Sequence, residues 1–379
     1  MRTVHRPRTR SVFTTLTALA ALTLGARTAV AQTGVSGVAY AQYQYALAKD
    51  TLSADSMIQH INNFDVTRAY VNVIGRFAGG ITARVTTDIF QNNAIAGSRI
   101  VRLKYAYVAW NPGTSPLTYK IGAIHTPWLD WEEALWDYRM QGTMAMERGS
   151  PVTGISYLSS SDFGVGVDGK FNADHFNFQA GIYNGENYNG ALSDQHKDFM
   201  ARASYRILET NDGTRVGGLR VTAYGQYGAP GTGGRRQRFI GMVSYRSVDI
   251  TLAGEYAFTQ DSVHGGIAAV GGGAIAASPL RKGQVISLFG TFHPHGTRFT
   301  AVGRVDLTDP QTDSTAAAPG VSDKTTRIIA GAAWQLTPNV RLLGDVDLVS
   351  YESGFVPSAA QYAAYAARQS AFFQVQFTY

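Results

Sequence analysis

Hydrophobic and polar residues alternate along most of this chain. In ITARVTTDIF, Ile81 and Val85 fall on one face, whereas Arg84 and Asp88 fall on the other. IVRLKYAYVAW alternates in the same way and puts Tyr105 on the apolar face, and NVRLLGDVDLV repeats the pattern. A period of two residues is typical of β-strands that have one apolar and one polar face.

The alternation predicts about sixteen strands, most of them close to ten residues long. This is the length that a tilted strand needs to cross a bilayer. The predicted strands are 35–47, 64–77, 81–91, 99–110, 117–125, 163–171, 175–183, 198–208, 218–227, 237–247, 248–259, 283–292, 298–308, 325–336, 339–351 and 368–379.

The links between these strands alternate between short and long. Turns such as Gly79-Gly80 are short, whereas the links at 126–162 and 260–282 are long. Short turns at one rim and long loops at the other are typical of a transmembrane antiparallel β-barrel. An arginine facing lipid at the midplane costs about 2–4 kcal/mol, so the charged faces should line the interior. The alternative is a soluble antiparallel sheet, which would need a separate core to cover its apolar face.

The first 31 residues are expected to form a signal peptide. Four arginines precede an apolar stretch at 12–24, and Ala29-Val30-Ala31 resembles a cleavage site. Without this segment the chain has 28 basic and 27 acidic residues, so its net charge falls from +6 to about +1. A nucleic-acid partner is therefore not expected. Residues 32–379 are expected to form one barrel domain.

The chain ends in SAFFQVQFTY, with Phe373, Phe377 and Tyr379 on one face. An aromatic C-terminal strand resembles the signal that the barrel-assembly machinery recognises in bacterial outer-membrane proteins. This strand must also pair with the first, because an open edge in lipid leaves backbone groups without partners.

The alternation stops at residues 126–162, which hold three of the five tryptophans. Pro127 and the pattern Asp130-x-x-Glu133 predict a helix start with a capping box, and a short helix over about 131–141. We expect this loop to fold inward, with its aromatic face on the wall and its acids toward the lumen. In the alternative, it covers the mouth and its acids are merely solvated. The candidate constriction residues are Asp130, Glu132, Glu133, Asp137, Arg139, Glu147 and Arg148.

Residues 119–206 resemble the phosphate-selective porin O and P family. The resemblance rests on six short segments in order: Ile121-Gly122, His125-Thr126-Pro127, Met146-Glu147-Arg148, DFGVGV from Asp162, GIYNG from Gly181 and KDFMAR from Lys197. It implies a sixteen-stranded trimeric porin whose third long loop enters the lumen. Phosphate-selective members carry little acid at the constriction, whereas this loop is acidic, so phosphate selectivity is not carried over.

Basic residues are expected to line the pore wall opposite the loop. The candidates are Arg68, Arg76, Arg84, Arg102, Lys104, Lys120, Arg202, Arg206 and Arg220. Acids facing such a wall would create a transverse field that favours polar solutes. Alternatively, these bases pair with Asp88, Asp168, Glu255 and Asp306 and select nothing.

The sequence predicts a bacterial outer-membrane porin, expected as a homotrimer in outer-membrane lipid, that passes small hydrophilic solutes or ions. An anion- or phosphate-selective porin is one alternative, and a surface-binding barrel with a plugged lumen is another. No enzyme motif is apparent, and neither a cofactor nor a metal is expected. His293-Pro294-His295 alone is a weak metal signal.

Overall fold

The computed structural model describes residues 32–47, 60, 62–92, 98–148, 157–190, 195–229, 235–262, 280–312, 324–352 and 369–379. The predicted signal peptide (1–31) and parts of several long links lie outside the described residues.

The described chain is built from sixteen β-strands. They are β1 (Gln32–Ala46), β2 (Asn62–Phe77), β3 (Ile81–Asn92), β4 (Ser98–Trp110), β5 (Leu117–His125), β6 (Ser161–Phe171), β7 (Phe176–Tyr183), β8 (Asp198–Leu208), β9 (Gly218–Gly228), β10 (Arg236–Arg246), β11 (Ile250–Ser262), β12 (Leu280–Phe292), β13 (Phe299–Asp309), β14 (Thr325–Thr337), β15 (Val340–Tyr351) and β16 (Ser370–Thr378).

These strands form one closed antiparallel barrel in which each pairs with its neighbours in sequence. β1 pairs with β16 from Val38–Thr378 to Ala46–Ser370, as predicted for the first and last strands. The predicted strand ends agree with the observed ones to within three residues. Closure gives every strand a partner on both sides, which is what hydrocarbon requires of a sheet.

The two rims of the barrel differ in the length of their links. The links that follow the even-numbered strands are two to nine residues long, and we call their side the short-turn rim. Those that follow the odd-numbered strands are five to thirty-five residues long, and they define the long-loop rim. The start of β1 and the end of β16 both lie at the short-turn rim, as the even number of strands requires.

Strand residues point alternately outward and inward, as the sequence pattern predicts. On β3, Ile81 and Val85 are exposed on the outer face, whereas Thr86 and Asp88 are buried inside. On β16, Phe373 and Phe377 are exposed outside and Gln374 is buried inside. The outer face therefore presents apolar side chains to lipid, and polar side chains line the interior.

The prediction for β4 is wrong in its second half because of a β-bulge. Pairing passes from Thr86–Tyr105 to Thr87–Leu103, so Lys104 is an extra residue. An extra residue reverses the alternation beyond it. Tyr105, predicted on the apolar face, is therefore buried inside together with Lys104.

The link between β5 and β6 contains two short helices, α1 (Leu129–Trp136) and α2 (Ala145–Arg148). A 3-10 turn, Arg139–Gln141, lies between them. The predicted helix over 131–141 is thus a shorter α-helix followed by a separate turn. Among the described residues, no helix is long and apolar enough to span a membrane.

The outward-facing residues of β13 allow a test of the membrane-facing surface. Val305 lies at the centre of β13 and Phe299 at its end, both on the outer face. We expect Val305→Arg to destabilise the folded barrel in lipid vesicles, lowering its free energy of unfolding by about 2–4 kcal/mol. In the matched variant Phe299→Arg, near the membrane interface, the added charge should lower the free energy of unfolding by only about 0–1 kcal/mol. Denaturant titration in vesicles measures both, and equal losses would contradict a bilayer centred on β13.

Candidate functional site: the loop between β5 and β6

α1 begins without the predicted capping box. Trp128, the N-cap residue that precedes α1, has helical backbone angles, and its side chain makes no capping hydrogen bond. Asp130, predicted to cap, instead accepts a hydrogen bond from Arg215 Nη1 at 2.7 Å. The Arg215 guanidinium, together with the neighbouring His125, holds the Asp130 pKa below its usual range despite burial, which opposes this shift. An ion pair with an arginine far along the chain has replaced the local cap. A hydrogen bond between a carboxylate and a charged guanidinium is stronger than one to a neutral backbone N–H group, and this favours the ion pair for the partly buried Asp130.

One side of the loop is apolar and packs against the barrel wall. The Trp128 ring lies 5.8 Å from Tyr224 on β9, and the Trp136 ring lies 5.7 Å from Phe289 on β12. The fully buried side chains on this side are Trp128, Leu129, Trp131, Leu135, Trp136, Met144 and Met146. Burying one such side chain is worth about 1.5–3 kcal/mol, so this side is firmly held. The Trp128 and Trp136 rings of the loop thus contact aromatic rings of β9 and β12.

Arginines of the barrel bind backbone carbonyls of the loop near the short-turn rim. Arg246, the last residue of β10, donates to the carbonyl of Ala134 at 2.7 Å. Arg341, the second residue of β15, donates to the carbonyl of Asp137 at 2.8 Å. The loop leaves β5 at the long-loop rim, so these contacts reach across and down the interior. A loop lying over the mouth does not make such contacts.

Sequence reasoning missed these arginine anchors. Arg246 and Arg341 sit beside tight turns, where an arginine is ordinarily solvated, and Arg304 on β13 also donates to the carbonyl of Thr143 at 3.0 Å. The only available signal was an inward position in the strand alternation. A cation at the C-terminal end of a helix stabilises its unpaired carbonyls, and α1 has Arg246 at that place.

The other side of the loop is polar, and we call Glu133, Arg139 and Glu147 the loop edge. Arg139 Nε donates to Glu133 at 2.8 Å, and its Nη2 donates to Glu147 at 3.1 Å. Burial raises the pKa of Glu133, and the positive charges of Arg139 and Lys104 oppose this rise. Lys104 on β4 is thus close enough to Glu133 to act on its charge.

The wall opposite the loop edge carries two cations without an acidic partner. Lys104 Nζ lies 4.5 Å from the centre of the Tyr70 ring. Arg84 donates to Asn72 at 2.8 Å and lies 5.0 Å from the centre of the Tyr105 ring. Among the described residues, neither cation has a carboxylate within 4.0 Å. Aromatic rings and an amide replace a counter-ion here.

The remaining early-strand bases are mostly paired. Arg68 and Arg102 share Asp88, at 2.5 and 2.7 Å. Lys120 pairs with Asp168. These ion pairs match the alternative that the sequence left open for single residues. Arg76 is exposed at the short-turn end of β2 and has no ion pair within the described ranges. We call Arg68, Arg84, Arg102, Lys104 and Lys120 the basic wall.

Three bases that the sequence placed opposite the loop are located elsewhere. Arg202 and Arg220 lie beneath the loop, with their guanidinium carbons 4.2 and 5.6 Å from the centre of the Trp131 ring. Arg206 pairs with Glu209 at 2.9 Å at the short-turn rim. The apolar side of the loop packs on β8 to β13, so bases on β8 and β9 are covered by it and do not face its edge.

The candidate constriction residues do not all lie together. Glu133, Arg139 and Glu147 form the loop edge. Asp137 is exposed and pairs with Arg341 at 3.3 Å, and Glu132 is fully buried against β11, where the sequence had put it toward the lumen. Helical geometry explains the difference, because Glu132 lies four residues from both Trp128 and Trp136, which share its face and are fully buried. Arg148 ends α2, and its side chain lies outside the described part of the structure.

No metal centre is indicated by the described residues, which contain no cluster of three or more His, Asp or Glu side chains suited to hold an ion. His293 and His295 occupy the turn between β12 and β13. His293 Nδ1 lies 2.9 Å from the carbonyl oxygen of Phe299, and His295 lies 3.4 Å from Asp249.

Comparison with known proteins shows the fold. No family model matches the chain, and no curated protein matches it, so the resemblance to the phosphate-selective family is not confirmed. Solved structures do match: OmpF of Salmonella typhi in complex with daunomycin has a TM-score of 0.62 and 12% identity, over 92% of this chain and 98% of that one.

Two further structures are similar over the same 92% of this chain. The anion-selective porin of Comamonas acidovorans has a TM-score of 0.58 and 12% identity over 98% of its length. OmpT, an outer-membrane protein of Vibrio cholerae in a trimer form, has a TM-score of 0.56 and 11% identity over 99%. The chain therefore has the closed β-barrel fold of bacterial outer-membrane porins.

Proposed function

We propose that this protein is an outer-membrane porin that lets small hydrophilic solutes or ions diffuse passively through a water-filled channel. The observation that carries the proposal is the loop between β5 and β6. Its polar edge, Glu133, Arg139 and Glu147, faces the basic wall across the interior. A narrow passage with opposite charges on its two sides orders water and favours polar solutes.

The charges at this passage favour anions. On the wall, the only carboxylate among the described residues that pairs with Arg68, Arg84, Arg102 or Lys104 within 4.0 Å is Asp88, whereas Lys120 is cancelled by Asp168. The loop edge adds two acids and one arginine. The balance at the constriction is thus about +2, and a ring of net positive charge selects for anions. The proposal is a mild anion preference without phosphate specificity.

The cellular setting belongs to the same proposal. A signal peptide cleaved near Ala31 would export the chain, and the aromatic C-terminal strand, with Phe377 and Tyr379 outward, would be recognised by the barrel-assembly machinery. The apolar outer face suits outer-membrane lipid. A homotrimer is the proposed assembly, which the trimer form of the similar OmpT structure supports.

Planar-bilayer recording tests the channel. The purified protein should insert in uniform conductance steps, and deleting residues 128–147 should raise the step severalfold, because the deletion removes the loop from the interior. Deleting residues 313–320 from another long link is the control and should leave the step nearly unchanged. If the protein is folded, as judged by heat-modifiable mobility on a gel, but gives no conductance in the bilayer, the result would support a plugged, surface-binding barrel.

The two unpaired cations provide a test of selectivity. The double variant Arg84→Gln, Lys104→Gln should lower the permeability ratio of chloride to potassium, since it removes the charges that no carboxylate balances. The reversal potential under a salt gradient measures this ratio. Arg298→Gln removes a positive charge from an exposed turn and serves as the matched control. If control and double variant behave alike, the selectivity does not arise at the basic wall.

Neutralising the loop edge should act in the opposite direction. Glu133→Gln with Glu147→Gln leaves Arg139 without its two acids and makes the constriction more positive. The preference for chloride over potassium should rise. This rise should be smaller at about 1 M salt, where the Debye screening length is about 3 Å. Reversal potentials at low and high salt check both parts, and a fall in chloride preference would contradict the proposed geometry.

A further inference from the structure

A second segment of the chain reaches the basic wall from the long-loop rim. This segment is the start of the link between β7 and β8, residues 184–190. Its Asn189 accepts a hydrogen bond from Arg102 Nη1 at 2.6 Å. The guanidinium carbon of Arg102 lies 4.6 Å from the centre of the Tyr188 ring and 3.8 Å from that of Phe90 on β3. The β7–β8 link therefore places two side chains against the inner face of β4.

The pairing of β4 explains why this contact forms. The ladder between β4 and β5 runs only from Ala106–Ala123 to Trp110–Tyr119. Nearer the long-loop rim, β4 still pairs with β3, but within the described ranges it has no strand on its other side. β5 is short because the chain turns into the interior after His125. Side chains of the β7–β8 link thus meet β4 at the level where β5 is missing.

The β7–β8 link is held in place by contacts of its own. The Asp162 carboxylate accepts a hydrogen bond from the backbone N–H of Gly185 at 2.8 Å, and Arg236 on β10 donates to the carbonyl of Gly185 at 2.6 Å. The backbone N–H of Tyr188 donates to the carbonyl of Ser161 at 3.2 Å. These contacts fold the link back over the start of β6, which carries Tyr188 toward β4.

Every side-chain nitrogen of Arg102 is engaged. Nε and Nη2 donate to Asp88 at 2.9 and 2.7 Å, and Nη1 donates to Asn189. A planar guanidinium binds a carboxylate through two nitrogens while it stacks on aromatic rings, and a lysine ammonium does not reproduce this arrangement. The geometry of Arg102 therefore suits it to position the β7–β8 link and leaves it no nitrogen for a passing anion.

We propose that the β7–β8 link forms a second constriction of the passage, on the long-loop side of the basic wall, and that Arg102 is the residue that positions it. This inference rests on the proposed porin function and adds the element that limits solute size. The side chains that the link brings to the wall, Tyr188 and Asn189, are uncharged. The link thus restricts solutes by size, whereas Arg84 and Lys104 act on their charge.

Hydrogen exchange of the full-length protein in detergent micelles tests whether Arg102 positions the link. Arg102→Lys keeps the charge but loses the planar fork. The backbone amides of residues 184–190 should then exchange severalfold faster, because exchange follows the free energy of local opening. Tyr188→Ala should act in the same direction and is the second variant in case Arg102→Lys does not assemble. Arg99→Lys, at the exposed start of the same strand, is the matched control and should leave this exchange unchanged.

Bilayer recording and liposome swelling test the constriction itself. Arg102→Lys and Tyr188→Ala both keep every charge of the passage. Their single-channel conductance should rise, and vesicles that carry them should admit a neutral tetrasaccharide faster, relative to a monosaccharide, than vesicles with the wild type. The reversal potential under a salt gradient should stay at the wild-type value, because no charge has been removed.

The outcomes separate the role of Arg102, the constriction and the porin function. Unchanged exchange of residues 184–190 in either variant overturns the positioning role of Arg102. Faster exchange with wild-type conductance and wild-type sugar passage overturns the constriction alone, because the β7–β8 link then lies outside the path of the solutes. A wild-type protein that neither conducts nor admits a monosaccharide overturns the porin function and the constriction with it.

Discussion

The structure depends on one constraint: in hydrocarbon, backbone N–H and C=O groups must find partners within the protein. The closed ladder from β1 to β16 meets it, because every strand pairs on both sides. Closure fixes the register, and the register fixes which side chains meet lipid and which line the interior. Asp88 is buried inside while Val85 faces out because a slip of one residue would exchange them.

Closure also creates an interior that one sheet cannot fill. The loop between β5 and β6 resolves this by bringing its own apolar side, including Trp128 and Trp136, onto β9 and β12. One half of the interior thereby becomes an ordinary packed core, and the other half is left to the polar loop edge and the basic wall.

The site depends on local departures from regularity more than on the regular barrel. The bulge at Lys104 turns both Lys104 and Tyr105 inward, where a regular strand would send one of them into lipid. Arg84 then stacks on Tyr105 and stays without a carboxylate. A β-bulge often re-aims side chains beside a site, and here it turns inward Lys104, one of the two wall cations that have no described carboxylate within 4.0 Å.

The sequence by itself determined the sixteen strands, their ends and the barrel, because a period of two residues facing lipid on one side is a local signal repeated along the chain. It also identified the interrupting loop and the apolar packing of its aromatic residues. The tertiary structure alone decided which charges meet. Asp130 binds Arg215 and Glu132 is fully buried, although both resemble the loop-edge acid Glu133 in sequence. Arg215, in the link between β8 and β9, and β11 both lie far along the chain from α1. Neither the bulge at Lys104 nor the path of the loop has a period that a sequence pattern can reveal.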